Sequence, residues 1–344
     1  MAFLRNTWYV AGWSEELGSA PIRRRILNEQ IAFFRLTTGD AVGLGDRCPH
    51  RFASLGDGKV VGDALECPYH GLRFGAEGAC VHNPHGNVIP KAAKIKAYPV
   101  VERHHAIWIW VGDSAAADPT LIPDFSMFSQ PDLATSRGYL HVLANYELVT
   151  DNLLDLSHVA FLHPFLSNPN SPRRIRTSMK HEGNTVWSYF WQEQEPITPL
   201  FRTVWDSPSE VGDLRAHMRW TVPSTLYLDA GMTEVGASEE TGPAIPTAHL
   251  LTPETDTTTH YFWMAGRNRQ QANAELGKFI HDGVSEAFVN EDEPMIARVF
   301  DNMAGADLFS LRPVLLPGDA AAVQARRLLR KAIESESMQA VSAL

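Results

Sequence analysis

Cys48-Pro49-His50, then sixteen residues, then Cys67-Pro68-Tyr69-His70: this stretch decides how the chain reads. It supplies two mixed Cys/His pairs, each inside a Pro-containing loop. Two thiolates on one iron and two imidazoles on the other hold a binuclear [2Fe-2S] cluster of the Rieske type, whose reduction potential lies well above that of an all-Cys cluster. Pro49 and Pro68 stiffen the loops beside these residues, and Gly71 allows a tight turn just after His70. A structural zinc site is the alternative, since Cys and His in fours also suit zinc. Zinc sites more often use C-x2-C and H-x3-5-H pairs, so the mixed pairs favour the cluster. Cys80 is left over without a partner motif and reads as a small buried hydrophobe. With three cysteines, two of them in the motif, a disulfide framework is excluded.

Outward from the motif, the first 112 residues read as short strands and turns. Ile31–Leu36 and His105–Val111 are rich in β-branched and aromatic residues, and the glycines between them leave no helical period. An all-β domain over 1–112, carrying the cluster, is expected. Asp113 to Pro131 reads as a linker. The remainder, 113–344, is expected to be an α+β catalytic domain with an antiparallel sheet covered by helices. Its strands are expected at Thr185–Trp191, Thr225–Leu228 and Thr258–Met264. Helices are expected over Glu147–Phe161, over a long apolar stripe from Leu276 to Val299, and over Ala320–Ile333.

The composition is that of a globular protein, with 44% hydrophobic and 20% charged residues. A net charge of -10 with no basic run argues against nucleic acid as a partner. No apolar stretch approaches the length of a membrane span and no secretory signature opens the chain, so a cytoplasmic protein with no membrane association is expected.

A cluster moves single electrons, and Asp151-Asn152-Leu153-Leu154-Asp155-Leu156-Ser157-His158, running on to His163-Pro164, suggests where they go. Asn152, Asp155 and His158 recur every three residues, a polar face within an apolar run. On a regular helix His158 and His163 diverge by about 140 degrees. They converge only where the helix bulges or ends, and Pro164 disfavours helical geometry at His163. Two His and one carboxylate form the facial triad of non-haem iron oxygenases. The carboxylate belongs on the late helical stripe, where Glu291 and Asp292 both fit and periodicity does not choose between them. The competing reading is a helix end with solvated histidines and an acidic face in water.

These segments, with Arg5-Asn6-Thr7-Trp8-Tyr9-Val10-Ala11, His82-Asn83-Pro84-His85-Gly86-Asn87, Tyr98–Arg103 and Leu251–Thr255, resemble the oxygenase (alpha) component of Rieske non-haem iron oxygenases. The resemblance is to the group that acts on dicamba and vanillate, and it spans almost the full chain. It implies a helix-grip, START-like catalytic domain. It implies Cys48, His50, Cys67 and His70 as cluster ligands, and His158, His163 and Asp292 on a mononuclear Fe(II), with O2 as co-substrate. It also implies that Asp155, beside Asn152, receives a hydrogen bond from His70 of a neighbouring subunit and passes the electron towards His158, within a head-to-tail homotrimer. The partners implied are an NADH-dependent reductase, a ferredoxin, or both. The implied reaction is monooxygenation of a small, acidic aromatic substrate, with O-demethylation first. N-dealkylation and ring or other C–H hydroxylation within the same superfamily are the alternatives, and a non-catalytic electron carrier or redox sensor is the alternative of another class.

His249 aligns with a substrate-carboxylate contact of that group, although a strand histidine with a local partner is an equal reading. Asn268 is a second candidate contact, and Arg267 reads as a structural ion pair. Two departures bear on the substrate. The segment Ser167–Arg174 has no match, and a substrate-binding Trp of the group has no counterpart, its place falling near Gly283.

Overall fold

The computed structural model describes residues 2–168 and 170–342. The chain forms two compact units, Met1–Pro123 with Thr252–Asp256, and Asp124–Leu251 with Thr257–Leu344.

The first unit is built from three small antiparallel sheets. One orders Trp8–Trp13, Ala106–Trp110 and Val100–Arg103; a second orders Ile22–Ile26, Glu29–Arg35, Ala41–Gly45 and Ala97–Tyr98. The third is a meander of Lys59–Val61, Ala64–Glu66, Arg73–Gly75 and Cys80–His82. Both strands expected from the sequence are present, and every residue from Ala106 to Trp110 is buried. The loops that carry the Cys/His pairs leave the ends of these strands, and Cys48, Cys67 and Cys80 share a core with Leu65 and Phe74. The stretch beyond Val111 folds into short 3-10 turns. Asp113 and Asp118 each start one by accepting a backbone N–H two residues on, from Ala115 at 3.0 Å and Thr120 at 2.9 Å.

The second unit holds a seven-stranded antiparallel sheet. Its order is Ala134–Val142, Thr259–Arg267, Thr247–Pro253, Thr225–Thr233, Val211–Thr221, Thr185–Pro196 and Ile175–Glu182. Helices cover it, so the α+β expectation holds. The helices depart from the sequence reading in ways that matter. The expected Glu147–Phe161 helix is broken: Tyr146–Leu154 is α-helical, Leu156–His158 is a 3-10 turn, and Val159–Leu162 a further single turn. The break is at Asp155 (φ -111, ψ 93), whose carboxylate accepts the Ser157 N–H at 3.0 Å and so restarts the chain locally. The late helix runs through Ala274–Glu286 and Glu293–Met303, with a π-helical segment, Ala287–Asp292, between them. Pro294 has no N–H to return to the preceding turn, which leaves that turn free to widen. The tail helix, Ala320–Ser342, runs past the expected end. It is pinned by Arg326, buried, which bonds Asp151 and Glu147 of the first helix at 2.7 Å each.

Candidate active site

The two Cys/His loops are held rigidly. Buried Asp46 accepts from Arg23 Nε at 2.8 Å, Ser54 Oγ at 2.6 Å and the Gly56 N–H at 2.7 Å, which fixes the chain around Cys48. Within the loops, Phe52 N–H donates to Cys48 O at 2.9 Å and Gly71 N–H to Cys67 O at 3.0 Å. Gly71 adopts φ +71, the left-handed turn expected of it. The cysteines lie inside and the histidines at the surface, with the His50 and His70 rings 4.4 Å apart. Burial, with Cys67 beside it, pushes the Cys48 thiol up to about 11. His70 Nδ1 is buried with no hydrogen-bond partner. Two adjacent thiols in an apolar pocket and an inward ring nitrogen with nothing to bond fit a cluster whose irons take these atoms.

Three segments converge on the second site. The broken helix brings His158 and His163 together, ring centroids 5.1 Å apart, because the single turn Val159–Leu162 ends at His163 before Pro164. The π-helical segment resolves the choice between the two acids by using both. Asp292 Oδ1 lies 3.2 Å from His163 Nε2 and 3.5 Å from His158 Nε2, while Glu291 Oε2 accepts from His163 Nδ1 at 2.6 Å. Neighbouring residues on a regular α-helix point about 100 degrees apart; the wider turn lets both carboxylates reach one imidazole. One ligand atom from each of His158, His163 and Asp292 falls within 4.8 Å of the others. The outward ring nitrogens face acceptors only: His158 Nδ1 donates to Asp155 O at 2.6 Å and His163 Nδ1 to Glu291. Both Nε2 atoms therefore keep the lone pair, the tautomer a metal needs. Burial lowers the His158 pKa; at His163 burial also acts downward, but Asp292 and Glu291 outweigh it and the net shift is upward. Asn152 Nδ2 donates to Asp292 Oδ1 at 3.0 Å, placing Asn152 against this carboxylate.

Residues 7–99 match the family described as Rieske [2Fe-2S] domain, and residues 142–335 match the vanillate O-demethylase oxygenase C-terminal domain. The chain belongs to the Rieske non-haem iron oxygenases. It is 36% identical to the oxygenase component of chloroacetanilide N-alkylformylase from Rhizorhabdus wittichii, covering 99% of both chains. It is 35% identical to the oxygenase component of dicamba O-demethylase from Stenotrophomonas maltophilia, over 98% of this chain and 100% of that one. Dicamba monooxygenase bound to 3,6-dichlorosalicylic acid superposes with a TM-score of 0.93 at 34% identity, over 98% of this chain and 99% of that one. As an oxygenase of this family the chain carries a Rieske [2Fe-2S] domain and a non-haem iron site at His158, His163 and Asp292.

Residues that flank the iron-site side chains of this oxygenase line an apolar cavity of about 110 Å³. Its walls interleave with the metal-site residues: Val159 and Ala160 follow His158, Leu166 follows His163, and Phe288 precedes Asp292 by one turn. Gln192 and Thr247 add polar groups from the sheet. His249 lies on the strand of Thr247, buried, its ring 5.6 Å from Phe288. Its Nδ1 pairs with Tyr261 Oη at 2.6 Å, and its Nε2 has no partner. Burial pulls its pKa down to about 3. Asn268 is not brought to this cavity: its amide spans Ala244 N–H at 2.7 Å and Gly242 O at 3.3 Å, a loop staple. Arg267 does not form the expected ion pair; its guanidinium donates to the carbonyls of Arg269, Gln270 and Asn273, closing the turn into the late helix. Near Gly283, Phe165 fills the place open for a larger side chain, its ring within 2.3 Å of where a Cβ would stand. No helix among the described residues is long and apolar enough to cross a membrane.

Proposed function

We propose that this Rieske oxygenase dealkylates a small aromatic substrate, with O-demethylation first and N-dealkylation or ring hydroxylation as the alternatives, using electrons from NADH delivered by a reductase, a ferredoxin or both. The supporting observation is the apolar cavity walled by Val159, Ala160, Leu166 and Phe288, close neighbours in sequence of His158, His163 and Asp292. Two of the full-length relatives, at 36% and 35% identity, are named for removing groups from nitrogen or oxygen, which supports dealkylation. Iron bound at this triad supplies the activation of O2. The chain supplies the rest: Asp155 O and Glu291 hold the two imidazoles, and the cavity wall positions an alkyl group and excludes water. One O2 and one NADH are consumed with a proton; one oxygen atom enters the C–H bond and the other leaves as water. The hydroxylated ether or amide then loses an aldehyde, freeing a phenol or an N–H group.

In this proposal Cys48, His50, Cys67 and His70 hold the cluster and a second copy of the chain completes the electron path. His70 of one subunit donates to the Asp155 carboxylate of the next, in a head-to-tail homotrimer acting in the cytoplasm. Asp155 is half-buried, and its carboxylate lies under Gly318, where even a Cβ would come within 2.7 Å. Its link to His158 on this side runs through the main-chain carbonyl. Tyr69 beside His70, and Phe161, Val314 and Leu316 in the second unit, are exposed apolar side chains of the kind an interface covers. The test is aldehyde release from a panel of methoxylated and N-alkylated aromatics with NADH, O2 and a reductase. Aldehyde stoichiometric with substrate consumed supports the reading, and ring hydroxylation without aldehyde overturns it.

A further inference from the structure

A second cavity, of about 290 Å³, lies between the strands Ala134–Val142 and Thr259–Arg267 and the start of the late helix. It shares no lining residue with the cavity beside the iron-site residues. Its walls are small: Ala134, Ala265, Gly266, Ala274 and Gly277 leave the space open. No Asp or Glu lines it, and the one charged residue in its wall is Arg267.

Arg267 is 3% exposed, and burial lowers its pKa with no carboxylate acting the other way. Three carbonyls hold the guanidinium: those of Arg269 and Gln270 accept from Nη1, and that of Asn273 from Nη2 at 3.1 Å. Carbonyls satisfy donors but do not neutralise the charge, and a buried cation without a counter-ion is costly. A guanidinium carries five N–H groups. Those left over here are on Nε and Nη2, the two nitrogens that form one edge of the planar fork. Such an edge pairs bidentately with two coplanar oxygens. Gly277 shows that Nη2 borders the cavity. Apart from its chain neighbours and the helix backbone, Nη2 is the only atom among the described residues within 4 Å of where a Gly277 Cβ would stand, at 3.7 Å. The late helix adds to the field. Asn273 caps it by accepting the Leu276 N–H at 3.0 Å, while the Ala274 N–H of the first turn has no acceptor among the described residues. The positive end of the 13-residue segment Ala274–Glu286 therefore lies beside the same space.

We infer that this cavity binds a small oxyanion, held by the free edge of Arg267 and the first turn of the late helix, at a site separate from the iron. Free inorganic phosphate and the carboxylate of a small organic acid share this chemistry, and the cavity has room for either. The anion supplies the counter-charge that the chain withholds from Arg267. Gly277 keeps the place open, because a side chain there would stand where the ligand does. Arg267 ends one strand and Ala274 begins the helix that runs on to Asp292, so the bound anion ties the sheet to the element carrying that iron ligand. The site does not depend on which substrate the iron oxidises.

The experiment follows thermal unfolding of the iron-loaded holoenzyme as sodium phosphate or sodium acetate replaces sodium chloride at constant ionic strength. The Tm of the native protein is expected to rise saturably with at least one of the two, by at least about 2 °C at ten times the dissociation constant. A response to phosphate alone identifies the free ion as the ligand, and a response to acetate identifies a carboxylate. Gly277→Asp places a carboxylate beside Nη2, so it should raise the Tm in chloride and lose the response to both anions. Gly277→Ala, whose methyl would meet Nη2 at ordinary contact distance, should keep the response. Arg267→Gln should lose it, and if that variant does not fold, Gly277→Asp decides. No rise in the native protein with either anion, or a rise that persists undiminished in Gly277→Asp, overturns the inference.

Discussion

The cluster loops and the mononuclear iron site are built in opposite ways. The four cluster residues sit in two short loops, fixed by strand ends, by buried Asp46 and by one left-handed glycine. Each Cys of the motif is within three residues of its His, and regular β-structure does the positioning. The iron site draws His158, His163 and Asp292 from two helices, and it exists because both helices are irregular: one breaks at Asp155, the other widens into a π-turn. A contiguous motif needs only a rigid loop. A dispersed one needs departures from ideal geometry, and those departures are set by single residues, Asp155, Pro164 and Pro294.

The sharpest way to break this comparison is Asp155→Asn. Asparagine still caps the Ser157 N–H, so the break and both metals should survive. Turnover with the physiological donor is expected to fall at least about a hundredfold. A variant that turns over normally would remove Asp155 from the electron path.

Glu291→Gln acts on one region only. The amide oxygen can still accept from His163 Nδ1, but the charge that strengthens the imidazole as a ligand is gone. Ferrous affinity should fall about 10–100-fold while the visible spectrum of the cluster is unchanged. Unaltered iron release from this variant would show that Glu291 is an ordinary acidic surface residue.

A smaller effect follows from His249. Its pKa is depressed by burial from the ordinary histidine range to about 3, so the folded state binds fewer protons than the unfolded one in between. That contribution to stability is fully present above about pH 6.5 and is lost as pH falls towards 3, with a slope of at most about 1.4 kcal/mol per pH unit. His249→Phe should therefore flatten the acid limb of the unfolding curve for the metal-free protein. Parallel acid limbs would mean that His249 is not held neutral.

The same contrast explains what could be read from the sequence. The cluster residues, the strands at Ile31–Leu36 and His105–Val111, and the α+β class follow from local spacing and period. His158 and His163 were nameable because Pro164 signals a helix end. The choice between Glu291 and Asp292 was not legible, since no period distinguishes an α-turn from a π-turn that presents both. Nor was the length of the tail helix, which is held by Arg326 on Asp151 and Glu147, a contact across 175 and 179 residues of sequence. The loop role of Asn268 likewise depends on tertiary partners.

The central claim is that one chain carries two separately built iron sites. Iron and acid-labile sulfide counted per chain, in the native protein and in Asp292→Ala, test it directly. The native protein should hold about three irons and two sulfides, and Asp292→Ala about two of each with the cluster spectrum intact. Three irons retained by Asp292→Ala, or loss of the cluster together with the third iron, would contradict it.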